Sequence, residues 1–375
     1  MIIRTRQGAR RLASLVASSL VAVPLVLMGT IAPAHAENKY LSPGDDVKTV
    51  LEGLRPGDAL YINSGTYNIG NMNINAWSGR GDAPIYVGAV DGRYPPVFYG
   101  AIRFDHPDFW NIHNIKFQNS PSSGGGNNHT VSIYGGANWI FQYNEVSDAS
   151  ASGAFANIGL GNFGANGSNP GTPPANYYLV DNCVHDAGNS TGDDSRFHNI
   201  YNASAGNNWG FISRNILYNA PYGSQLKLGN DVAASKLEGP SHVTVQYNTL
   251  FNSDRGILLV GGVTSNTIKY NLVKTTPHGG VDVHGSTRPY NPAADETPNR
   301  VNLNFFRTPY GANGPVVRTD ERVVAGTTTE QNNRPGTVGN APEPSFNGVG
   351  CGLLNPSNSI AARYGRYSSY FPGSY

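Results

Sequence analysis

Cysteine, methionine and charge are scarce in this chain. Its 375 residues include two cysteines and three methionines, and 14% of them are charged. So few cysteines exclude a disulfide-dense scaffold and a zinc site built from thiolates. Cys183 and Cys351 can form one disulfide if the protein is exported, tying the C-terminal end to the middle, or remain two buried thiols. Basic blocks are missing as well, which removes nucleic acid as a partner. Beyond residue 31 no stretch is apolar for long enough to span a bilayer, so the mature form is expected to be free of membrane.

The first residues read as an export signal. Arg4, Arg6, Arg10 and Arg11 precede an apolar run from Leu12 to Ile31, and "AHA" at 34–36 puts small residues where a signal peptidase cuts. Pro24 and that small-residue site favour cleavage after Ala36 over an uncleaved anchor. Arg10-Arg11 fits a twin-arginine signal poorly. Without the four arginines, 22 basic residues face 25 acidic ones, so the mature chain is close to −3, secreted, and expected to be a monomer.

What the chain does have is 46 glycines, 21 tyrosines and many asparagines. A surface polar through amides and hydroxyls suits a protein that faces sugars, and it suits a turn-rich β-protein equally. A repeat separates the possibilities. The phrases "WIFQYNEVSD", "YYLVDNCVHD", "GFISRNILYN", "VTVQYNTLFN", "NTIKYNLVKT" and "RVNLNFFRT" each alternate apolar residues around an asparagine. The asparagines are Asn144, Asn182, Asn215, Asn248, Asn271 and Asn304, at spacings of 38, 33, 33, 23 and 33. A minimum near 23 with insertions of about ten predicts a coil with loops thrown out to one side. The fold class is therefore all-β, a right-handed parallel β-helix, with the asparagines stacked as an inward ladder that pairs their amides. A β-sandwich gives no reason for the recurrent asparagine.

The two ends frame the coil. "SPGDDVKTVLEGLRPGD" places Val47, Val50, Leu51 and Leu54 on one helical face, with acidic residues in the first turn and Pro-Gly after the end, and predicts a capping helix. Past Thr308 the repeat dissolves into a polar Gly/Pro-rich segment, read as an irregular tail or a flexible linker. The expected organisation is a signal peptide over 1–36, the β-helix over 37–308 and the tail over 309–375.

The opening of the mature chain, from "YLSPGDDVKTVLEGLRPGDALYINSGTYNIG" to "FWNIHNIKFQNS", resembles that of the exported β-helix polysaccharide lyases related to chondroitinase B and alginate lyase. The likeness is detailed over the first quarter and carried elsewhere by the repeats. It implies cleavage of an acidic polysaccharide by β-elimination at a uronic acid. That reaction needs the substrate carboxylate neutralised, a base for the C5 proton and an acid for the leaving oxygen. In such lyases a lysine is the base and an arginine on the adjacent rung assists. Here Lys227, between Leu226 and Leu228, takes the lysine's place, and Arg255 follows one turn later. The family's arginine lies further into its strand, where this chain has Leu259 or Val260, so Arg255 would reach across from the preceding bend. Some relatives hold calcium through acidic residues before the lysine. The corresponding places look like Ala220 and Tyr222, so no cofactor is expected there, although Asp193, Asp194, Asp231 and Glu238 could hold a metal through their loops.

The residues themselves supply a second constellation, "GDDSRFHNIYNAS", with Asp193, Asp194, Arg196, His198 and Tyr201. A histidine paired with a tyrosine recurs in proton-transfer chemistry of this type. His129 falls in the same column two turns back, and His278, Asp282 and His284 follow one turn after Arg255. Lys227, Arg255, His198 and Tyr201 are the catalytic candidates, and Asp194, Arg196, Tyr222, Asp282 and His284 the substrate-binding ones. Each has a plain alternative. Lys227 can be a salt-bridged surface lysine, Arg255 can hold a loop through carboxylates, and Asp282 and His284 can be satisfied surface groups. Trp139 and Trp209 read as packing residues.

The expected function is thus a secreted enzyme that cleaves a uronic-acid polysaccharide by β-elimination. A C5-epimerase would use the same proton abstraction. A glycoside hydrolase or transferase would pair Asp193 or Asp194 with Asp282, and a non-catalytic glycan binder would need only amides and aromatics.

Overall fold

In the computed structural model, the residues described are 36–121, 129–149, 154–161, 172–188, 197–229, 239–274, 280–284, 297–307, 317–319, 328–331 and 333–335. Successive short strands pair in parallel with the strand one turn away, as the repeat predicts. Among the described residues an eleven-stranded sheet runs from Asn38–Leu41 to Thr328–Gln331 and forms the first face, and a fifteen-stranded sheet is folded lengthwise into a second and a third. Thr66–Asn75, Val97–Asp105, Ile216–Leu228 and Thr249–Val260 run through that corner and belong to both faces. Elsewhere the corner separates them, so Cys183–His185 lies on the second face and His198–Asn202 on the third. The architecture is a parallel β-helix.

Alternation fixes the core. On the third face Val131, Ile158, Ile200, Leu226, Ile257 and Val281 share one register row, and each is completely buried. Burying such a side chain is worth about 1.5–3 kcal/mol, so each turn adds a similar increment.

The asparagine ladder stands at the corner between the first and second faces. The backbone N–H of Asn144 donates to Oδ1 of Asn182 at 2.9 Å, and the same bond repeats through Asn215, Asn248, Asn271 and Asn304 at 2.9–3.0 Å. Each amide nitrogen donates back to a carbonyl of the preceding turn, as Asn248 Nδ2 does to Ile212 O at 2.9 Å. The residue before each rung is left-handed: Tyr143, Asp181, Arg214, Tyr247, Tyr270 and Leu303 have φ of 54–58°. That conformation costs a non-glycine residue about 1–2 kcal/mol, and the ladder bonds on the next residue hold it in place.

The ladder also runs past the expected end of the coil. Asn304 N–H donates to Oδ1 of Asn333 at 3.0 Å, and strands at Val317–Thr319, Thr328–Gln331 and Arg334–Pro335 pair in parallel with the turn before. A polar, proline-containing sequence hides this turn because one asparagine in the right place suffices to continue it.

The capping helix spans Val47–Glu52 and packs against Thr66–Asn75. Val47, Leu51 and Leu54 are buried and Val50 leans on the core. The acidic residues precede the first turn instead of standing in it: Asp46 is the N-cap and accepts from the N–H of Lys48 and Thr49 at 3.1 and 3.2 Å. Cys183 is buried and disulfide-bonded, while Cys351 lies outside the described residues. Among the described residues no helix is long and apolar enough to cross a membrane.

Candidate active site

A second polar ladder builds the ground under the site. At the corner between the second and third faces, Asn157 Nδ2 donates to Oδ1 of Asn199 at 2.8 Å and to the carbonyl of His185 at 2.6 Å. Asn199 Nδ2 donates onward to Gln225 and to the carbonyl of Tyr218, and Gln225 Nε2 donates to Phe251 O at 2.7 Å. These buried amides fix where each chain leaves the corner, and therefore where its neighbours His198 and Ser224 point. Because Asn199 and Ile200 are both buried, alternation breaks there, and His198 and Tyr201 come to one outer face.

Two register rows carry the candidates. His129, Ala156, His198, Ser224 and Arg255 follow one another along the corner. Three residues further along each strand run Ser132, Gly159, Tyr201, Lys227, Leu258 and Asp282. The ring of Tyr201 is the meeting point. Lys227 Nζ lies 5.0 Å from its centroid, the His198 ring 5.5 Å away at 56°, and the His129 ring 6.1 Å away nearly perpendicular. His129 lies across Gly159, where a Cβ would stand 1.8 Å from its Cδ2. Only glycine leaves room for that ring.

Electrostatics at this patch favour neutral imidazoles. Burial, together with the nearby charges of Lys227, His129 and Arg255, pushes His198 well below the usual histidine value. Burial alone takes His129 down to about 4. The backbone N–H of Ser224 donates to Nδ1 of His198 at 3.2 Å, and Ser224 Oγ is 2.8 Å from the same nitrogen. With Nδ1 accepting, neutral His198 carries its proton on Nε2 and presents a donor.

Arg255 is committed to carboxylates. Its guanidinium meets Asp254 Oδ2 at 2.7 Å and Asp282 Oδ2 at 2.9 Å, and His284 Nε2 stands 2.9 Å from that same Asp282 oxygen. Asp282 Oδ1 is buried with no hydrogen-bond partner. In register, the residue beside Lys227 is Leu258, not Leu259 or Val260, because the strand pairing is set by Leu226 against Ile257. Arg255 stands beside Ser224 and reaches forward to Asp282 instead of back toward Lys227.

The structure therefore brings together Lys227, Tyr201, His198, Arg255, Asp282 and His284, with His129 in the predicted column. Tyr222 is half-buried in the irregular stretch between Ala220 and Ser224, where the register shifts. Asp194, Arg196, Asp193, Asp231, Glu238 and His278 lie outside the described residues. Between the repeat phrases of Asn144 and Asn182 the chain forms a third-face strand, Ala156–Gly161. Trp139 is in the core and stacks on Tyr177 at 4.7 Å, whereas Trp209 is one register step away, 54% exposed and stacked on His242. Trp209 corresponds in register to Asn138, not to Trp139, because Trp139 aligns with Tyr177 and Gly210.

Ser224, Asp254, Gly159 and the Asn157–Asn199–Gln225 ladder escape the sequence reading. Only a glycine at an outward strand position, Gly159, gives any signal, and it becomes legible once the neighbouring histidine is known.

A separate ionisable cluster lies on the second face. His185 Nδ1 is 2.6 Å from Asp186 Oδ2 and its Nε2 3.3 Å from Glu145 Oε1, which also meets Lys116 Nζ at 2.7 Å. The ring stacks on Tyr218 at 4.7 Å, and Tyr218 on Phe251 at 5.2 Å. Burial opposes protonation of His185, but the two carboxylates outweigh it and hold the imidazole at about 9.

No protein-family model matches the chain, and neither does any curated protein. Among solved structures it is similar to an alginate lyase from Paenibacillus sp. str. FPU-7, at 14% identity and TM-score 0.58, over 80% of this chain and 95% of that one. It is also similar to pectate lyase Pel9A, at 12% identity and TM-score 0.49, over 80% of each chain. A lacto-N-biosidase from Eubacterium ramulus matches at 10% identity and TM-score 0.41, over 79% of this chain and 67% of that one. What the chain shares with the first of these at such identity is the fold, a parallel β-helix.

Proposed function

We propose that the chain is an exported carbohydrate-active enzyme that cleaves a polysaccharide at a uronic acid by β-elimination. The observation that carries this reading is the placement of Lys227 Nζ 5.0 Å from the Tyr201 ring, with His198 at 5.5 Å on the same outer face.

The roles follow from position. His198 presents Nε2–H to the substrate carboxylate and stabilises the charge that develops on it when the C5 proton leaves. Lys227 takes that proton. The C–H electron pair becomes the C4–C5 double bond, the C4–O bond breaks, and the Tyr201 hydroxyl supplies a proton to the departing oxygen. Arg255 adds positive potential from a guanidinium already fixed by Asp254 and Asp282. A C5-epimerase would share the first half of this sequence. The hydrolase reading would pair Asp193 or Asp194, which lie outside the described residues, with Asp282, whose Oδ2 meets Arg255 at 2.9 Å.

The test is ultraviolet absorbance of the purified mature protein with acidic polysaccharides, with and without chelator. A rise marks the unsaturated uronyl end. New reducing ends without that absorbance would replace elimination by hydrolysis, and binding without shortening would leave a glycan-binding protein.

A further inference from the structure

A single exposed aromatic side chain is ordinary, but in this molecule the exposed ones gather on one side. Among the described residues, every large hydrophobic side chain left exposed lies on the first face or in the bends that flank it. Tyr40 and Tyr61 stand on its strands, Trp77 and Trp209 in bends that lead into it, and Tyr143 and Tyr270 in bends that lead out. The second and third faces, which carry the ionised clusters of His185 and Arg255, expose none.

The bend before the first face repeats from turn to turn. Asn176, Trp209 and His242 hold the same place in it, each left-handed with φ of 48–60°. The His242 ring covers one face of the indole at 4.1 Å. On the opposite side stands Asn176, exposed and too short to cover a ring, so the second face of Trp209 is open. Two residues further along the strands, Tyr178 and Phe211 stack at 5.4 Å, with Thr244 on the next turn. Asn207 is exposed, and its Oδ1 accepts from Ser241 Oγ at 2.8 Å, which leaves its amide N–H groups as donors.

Charge decides what can sit there. On the first-face stretches of these turns, 176–181, 209–214 and 242–247, the ionised side chains are Asp181 and Arg214, which close on each other at 2.7 Å. Burial holds His242 below the ordinary histidine value, so its ring is neutral near pH 7. An anionic sugar or a charged protein patch finds no counter-charge, and desolvating it is costly. The C–H face of a neutral pyranose matches the open indole, and its hydroxyls match the amides. We infer that Trp209, backed by His242 and flanked by Asn176 and Asn207, is a second glycan-binding site that takes an uncharged sugar of a polysaccharide. The site does not depend on the elimination chemistry of the third face.

The experiment is calorimetric titration of the full mature protein with galactomannan, glucomannan, xyloglucan and polygalacturonate, each at low and high salt. At least one neutral polymer should bind the parent with the same affinity at both salt concentrations. Trp209→Ala should weaken that affinity about tenfold, and Trp209→Tyr, which keeps a ring, less than about threefold. Asn176→Tyr lays a ring against the open face, as Tyr247 lies against Tyr270, and should abolish binding with the fold intact by circular dichroism. Failure of every neutral polymer to bind the parent, or equal affinity in the parent and Trp209→Ala, overturns the inference. So does sedimentation in which the parent is a dimer and Trp209→Ala a monomer, because the open face then belongs to a second copy.

Discussion

Ser224 and His198 stand one turn apart on the third face, and the backbone N–H of the first donates to Nδ1 of the second at 3.2 Å. A backbone donor cannot be turned into an acceptor, so the bond assigns the neutral tautomer. His198 then works as a donor through Nε2. His198→Gln, which keeps an N–H donor, is expected to retain at least tenfold more kcat than His198→Ala, whose loss should be about 10²–10³-fold. Equal loss in both variants would return His198 to the role of base.

Lys227 and Tyr201 are expected to carry the proton transfers. Lys227→Ala and Tyr201→Phe should each lower kcat about 10²–10⁴-fold with the melting temperature nearly unchanged. Activity within threefold of the parent in either variant, by absorbance assay, would move the chemistry away from this patch.

Gly159 and His129 compete for one space. Gly159→Ala places a methyl 1.8 Å from the imidazole and should displace the ring, with loss of stability and turnover. His129→Ala should partly restore the stability of Gly159→Ala, giving a favourable coupling in a double-mutant cycle measured by urea unfolding. Additive losses would mean that the two positions do not touch.

Stability should depend on pH through His185. Its folded value, about 9, lies above the ordinary 6.5. The contribution is fully present below about pH 6.5, declines as pH rises, and is gone above about 9. Glu145 and Asp186 are held low, each against the cost of burial, by hydrogen bonds to His185 and by Lys116 and Asn219 respectively. Their contribution is present above the ordinary carboxylate range and lost on acidification. The parent should therefore be most stable near pH 5–6, and His185→Gln should remove the alkaline decline; the measurement is chemical denaturation at each pH.

The asparagine ladder offers a stability test that spares the chemistry. Asn248→Ala removes the acceptor of the Asn215 N–H and two amide donations, and should cost about 2–4 kcal/mol in urea unfolding. A cost below 1 kcal/mol would mean that water replaces the side chain.

These contrasts also show what a sequence can disclose. The main ladder is legible because one residue type recurs at nearly constant spacing, and Lys227 because two inward leucines fix its direction. The ladder beneath the site is not, since Asn157 and Asn199 are followed by a glutamine, Gln225, at unequal separations of 42 and 26 residues. The partners of Arg255 are hidden for another reason. Asp282 is 27 residues away, and strand register, which no local pattern reports, decides that they meet. The left-handed residues are equally silent, because Tyr, Arg and Leu in that conformation contradict their own preferences and are held by the asparagine that follows.

The coil has the mechanics of a stack of coins. Each turn is bonded to the one above and below, so disruption travels along the axis turn by turn and does not spread at once through the molecule. The proposed catalytic residues Tyr201, Lys227 and Arg255 lie on turns in the interior of that stack, while among the described residues the ladder reaches as far as Asn333. Wear at the C-terminal end must therefore undo the turns of Asn333, Asn304 and Asn271 in sequence before it reaches Arg255. Partial loss at that end would leave a shorter rod with its reactive patch still assembled.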